Sequence, residues 1–136
     1  DGIDTGDGED RIVVAGDTIV AAGLEAAARD ADLPLSDAMS TPIVRALERA
    51  SREAGRTRNA TIFADMKGYH AGTVALPGLA ERANVGRLAL YHPVPAPRNA
   101  VLERVFRRGL PAGVVLTTDG MPFDPPPGGH DITIRR

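Results

Sequence analysis

A chain of 136 residues has the length of one domain and can bury about two-thirds of the surface its unfolded form exposes. Hydrophobic residues at 43% and charged residues at 25% are ordinary globular usage, which excludes disorder, collagen-like repeats and a coiled coil. The formal charge of -2 lacks the basic excess that drives non-specific nucleic-acid binding, no apolar run approaches the roughly 18–20 residues of a membrane-spanning helix, and the absence of cysteine excludes disulfides and thiolate chemistry.

Taken in chain order, the first residues, Asp1-Gly2-Ile3-Asp4-Thr5-Gly6, hold no initiator Met and no basic or apolar leader, so the natural start is expected upstream. The opening reads as a β-hairpin. A short strand at 2–5 and a turn at Asp7-Gly8 lead to a second strand at 11–15, where Ile12, Val13 and Val14 form a β-branched run. From residue 19 to about 31, Val20, Leu24, Ala27, Ala28 and Ala31 follow helical spacing, with Asp17 or Thr18 placed to cap the helix. Leu33-Pro34-Leu35 is apolar, but its proline predicts an edge strand or an irregular stretch. Ser40 or Thr41 starts a helix with Pro42 in its first turn; Ile43, Val44, Leu47, Ala50 and Ala54 lie on one face and Gly55 is the stop.

Residues 56–69 read as a polar loop whose only strand-like piece is Thr61-Ile62-Phe63-Ala64. A helix follows over 73–83, with Pro77 tolerated in its first turn. Residues 87–91 form a strand that His92-Pro93-Val94-Pro95-Ala96-Pro97 brings to an end, Asn99 caps a helix that stops at Gly109, and 113–118 and 131–134 read as further strands. The order ββα(β)αβαβαβ predicts an α/β fold of one domain, with a mixed sheet and helices on one face.

Phosphate loops, zincin motifs, nucleophile elbows and dinucleotide fingerprints are all missing from this sequence. What remains is a set of polar residues just past apolar strands, where α/β folds place their sites. Asp17 follows the strand at 11–15 and suits either a helix cap or a hard divalent cation. His92 ends a strand and is clamped by Pro93, which fits a metal ligand or a strand-end hydrogen bond. His70 stands between a loop and a helix, as a general acid or base, a ligand or a solvated histidine. Asp65 is either a turn residue or the carboxylate that orients His70. His130 falls in a Pro/Gly-rich tail, and the arginines at 45–58 and 104–108 read as solvated helix faces, with Glu48 and Arg52 spaced for an i,i+4 pair.

Together these segments resemble the C-terminal half of a metallo-β-lactamase-fold hydrolase, nearest the ribonuclease Z-like and arylsulfatase-like branch. Four pieces carry the likeness. Val14-Ala15-Gly16-Asp17-Thr18 is similar to that family's Ser-Gly-Asp-Thr, and Ala31-Asp32-Leu33-Pro34-Leu35 to its Ala-Asp-Leu-Leu-Ile. Asp65-Met66-Lys67-Gly68-Tyr69-His70, with Thr73 and Leu79-Ala80-Glu81-Arg82-Ala83-Asn84-Val85, resembles its His-containing loop and helix. Leu88-Ala89-Leu90-Tyr91-His92-Pro93 resembles the strand ending in its last His ligand, 22 residues beyond His70.

The resemblance implies half of an αββα sandwich in which Asp17 bridges two zinc ions, His92 binds one of them, and His70, aided by Asp65, donates a proton. It implies hydrolysis of a phosphate, sulfate or carboxylic ester, or of a lactone, by a metal-activated water, as in phosphodiesterase-like relatives. The family's His-x-His-x-Asp-His is missing, and Ser36-Asp37-Ala38 stands where ribonuclease Z relatives have His-Glu-Ala, so Asp37 replaces the Glu. The expected partners are therefore an ester substrate and either a ligand-bearing first half or a second chain, another copy of itself included. The competing expectation is a metal-free binding or assembly module that keeps the fold and pairs with another chain.

Overall fold

The computed structural model describes residues 11–124 and 132–134. Four parallel strands form one sheet in the order β1 (Ile12–Val14), β2 (Leu33–Met39), β3 (Ala89–Val94), β4 (Val115–Leu116). Parallel strands need crossovers. These are supplied by α1 (Ala22–Ala28) between β1 and β2, by α2 (Thr41–Glu53), α3 (Thr57–Met66) and α4 (Leu76–Arg82) between β2 and β3, and by α5 (Ala100–Phe106) before β4. The expected α/β architecture is observed. Among the described residues, antiparallel pairing is confined to β5 (Phe123–Asp124) with β6 (Thr133–Ile134). The expected strand at 2–5 and His130 lie outside the described residues.

Side-chain alternation gives the sheet two distinct faces. Ala38, Leu88 and Leu90 turn toward the helices and pack with Leu76 of α4 and Phe106 of α5, all of them buried. Leu33, Leu35 and Ala89 turn the other way and meet Ile132 and Phe123 of the β5–β6 pair. A third cluster, Ala28 with Leu79 and Ala83, seats α1 on α4.

Three expectations need correction. Pro34 does not confine its strand to an edge, because β2 lies between β1 and β3. The bonds toward β1 use the Leu33 amide and the Leu35 carbonyl, and pairing with β3 begins only at Leu35, so Pro34 stands where no ladder donor is needed. Residues 57–66 are helical rather than looped. Ala60, Phe63 and Ala64 recur at i, i+3 and i+4, and the helix packs antiparallel to α2 after the turn at Gly55, whose φ of 68° requires a residue without a Cβ penalty. Finally, α1 starts at Ala22 with Ala21 as its cap residue, so neither Asp17 nor Thr18 caps it.

Candidate metal centre

The site forms at the carboxyl ends of β1, β2 and β3. Beyond β1, Ala15 still donates its amide to the Leu35 carbonyl, and the chain then leaves the sheet through Gly16 to an exposed Asp17. No capping bond occupies its carboxylate. Oδ1 of Asp17 instead accepts a hydrogen bond from Nδ1 of His92 at 3.0 Å.

His92 owes its direction to a β-bulge. Asp37 pairs with Tyr91 but Ala38 pairs with Pro93, so His92 is the extra residue on β3 and adopts a φ of 47°. Such a bulge re-aims a side chain without ending the strand. The strand therefore runs past its expected end at Tyr91, through His92 and Pro93 to Val94.

His70 arrives by a different route. After α3 the chain returns to the end of β2, where Met39 donates to the Ala71 carbonyl and Thr73 donates to the Met39 carbonyl. This short bridge buries His70 to 7% exposure. Nδ1 of His70 donates to Oδ2 of Asp37 at 2.7 Å, and the Ala71 amide donates to the same oxygen at 3.3 Å. Asp37 is fully buried, and its Oδ1 has no partner. The His70 and His92 rings meet edge to face with centroids 5.5 Å apart.

The fold thus brings Asp17, His70 and His92 together: one ligand atom from each lies within 4.8 Å of the others. Oδ1 of Asp17 stands 3.0 Å from Nδ1 of His92 and 4.0 Å from Nδ1 of His70. A carboxylate with two imidazoles is a donor set that suits zinc and its neighbours in the first transition row. It fits one ion. Among the described residues no second group of this kind occurs.

Asp65 is not brought into the cluster. It sits exposed in the last turn of α3, and the carboxylate on His70 is that of Asp37. Sequence reasoning placed Asp37 opposite a family glutamate without assigning it a role, because a strand residue shows nothing of a partner 33 positions away. Tyr91 was passed over as a strand residue. Its hydroxyl donates to the Ala15 carbonyl. Burial first, then the Asp37 and Asp17 charges, raise its phenol above the ordinary value, so it stays protonated as that donor.

Neither a protein-family model nor a curated protein sequence matches the chain. Among solved structures, the chain is similar to the metallo-beta-lactamase fold protein YhfI from Bacillus subtilis, with a TM-score of 0.52 and 16% identity over 85% of this chain. At that identity the likeness establishes the fold alone. The chain spans 40% of the length of that neighbour.

Proposed function

We propose that this chain carries one side of the centre of a metal-dependent hydrolase acting on a phosphate, sulfate or carboxylic ester, or a lactone. The observation that carries the reading is the convergence of two carboxylate–imidazole pairs, Asp17 with His92 and Asp37 with His70, at one edge of the sheet. Asp17 and His92 would hold the metal, with zinc the best match to their chemistry. A bound zinc supplies an activated water near neutral pH and polarises the scissile bond. His70 carries a proton on Nε2 to the leaving group, while Nδ1 stays fixed by Asp37. The buried Asp37 carboxylate stabilises the doubly protonated imidazole that this step requires. Further ligands come from a first half of the sandwich or from a second chain, and a second zinc would rest on them.

The test is turnover by the longest gene product that contains this chain. Zinc-dependent hydrolysis of at least one p-nitrophenyl phosphate, phosphodiester, sulfate or acetate, or of a lactone, is expected, abolished by a chelator and by Asp17→Ala. Failure to hydrolyse any of them with metal bound would favour the assembly-module reading instead.

A further inference from the structure

Tyr91 lies on the site face of β3, opposite Asp37 in the register, and immediately before His92. Its side chain crosses the end of β2 to reach β1, where the hydroxyl donates to the carbonyl of Ala15, two residues before Asp17. β1 and β3 are not neighbours in the sheet, since β2 lies between them. Past Ala15, whose amide bonds the Leu35 carbonyl, the chain turns away from the sheet, and the further reach of β2 is bonded to residues 71–73 instead. The Asp17 segment is therefore held near His92 by two side-chain links, the Asp17–His92 bond at 3.0 Å and the Tyr91–Ala15 bond. A bound cation draws the first of these into its own coordination. The second is then the one that remains to fix the spacing.

We infer that Tyr91 is a positioning residue of the metal centre: its hydroxyl straps the end of β1 across β2, and thereby sets the distance between the Asp17 carboxylate and the His92 imidazole. The inference rests on the reading of Asp17 and His92 as metal ligands. The strap is half-buried, so its bond is shielded from competing water on one side. The ring keeps the strand packed whether or not the hydroxyl is present, so the loss of one oxygen separates positioning from folding.

The experiment titrates Co2+ into the whole chain and compares Tyr91→Phe with the unaltered protein, by affinity and by the visible ligand-field spectrum. Loss of one such hydrogen bond is expected to weaken Co2+ binding about three- to tenfold. It should also shift the spectrum through altered ligand placement, with circular dichroism unchanged. Tyr69→Phe serves as the control. Tyr69 packs its ring 4.8 Å from that of His70 but is exposed, and its hydroxyl has no bond to β1, so affinity and spectrum should not move. If Tyr91→Phe does not fold, Tyr91→Met removes the same donor with a flexible apolar side chain.

Equal affinity and an identical spectrum in a folded Tyr91 variant would overturn the strap and leave the metal reading standing. Absence of Co2+ binding by the unaltered chain would overturn the metal reading, and the strap with it.

Discussion

Asp37 has no contact with solvent, yet one of its carboxylate oxygens takes both of its hydrogen bonds, from the His70 ring and the Ala71 amide, while the other takes none. Burying a carboxylate is costly, and what offsets the cost here is its pairing with the His70 ring and the Ala71 amide. Asp37→Asn keeps the shape and removes the charge. It is expected to lower turnover roughly 10- to 100-fold while leaving zinc content unchanged, as steady-state kinetics and elemental analysis would report. At this scale the sequence disclosed residue types better than pairings. Asp17 and His92 stand out as polar groups just past apolar strands, but they lie 75 residues apart, and Asp37, just past the apolar Leu33-Pro34-Leu35, carries no local sign of its partner 33 positions away. The bulge that aims His92 was not legible: the prolines from Pro93 onward read as the end of the strand, and which residue is extruded depends on the register with β2.

Elements with local signals were legible. Asn99 was expected to cap a helix, and its side chain accepts from the Leu102 amide at 2.9 Å. Asn99→Ala should destabilise the fold by about 1 kcal/mol in a denaturant titration. Ser40, the cap residue of α2, makes no such bond, and its buried hydroxyl has no partner. Ser40→Ala should therefore be neutral or slightly stabilising in the same assay. The helix α3 was illegible because Thr61-Ile62-Phe63-Ala64 reads as a strand-like run in a polar stretch, and its place is set by packing on α2. That hairpin is clamped by Glu48, which accepts from Lys67 and from Arg52, each at 2.7 Å. Lys67, first of the two, and Arg52 hold the Glu48 carboxyl below its ordinary value of 4.5. A lowered carboxyl stabilises the fold above that value and ceases to as the pH falls through its folded pKa. Glu48→Gln should accordingly show a smaller loss of stability between neutral and acid pH than the unaltered chain.

Over the whole molecule, the two faces of the sheet divide the work. The helix side is sealed by Phe106, fully buried against Leu88 and Leu90. Phe106→Ala should cost roughly 3–5 kcal/mol by chemical denaturation. The opposite face is met by Ile132 and Phe123, and the candidate centre opens at the carboxyl ends of its strands. This α/β layering was legible from alternating strand and helix patterns, whereas the parallel order of all four main strands came from tertiary pairing. The central claim is that these strand ends converge on a metal centre that Asp17 and His92 would hold, with His70 beside them as the proton donor. Calorimetric titration of zinc into the chain, beside Asp17→Ala and His92→Ala, tests it most directly. One weakly held zinc per chain, lost in both variants, is the result predicted; no binding at all, or binding that both variants retain, would contradict it.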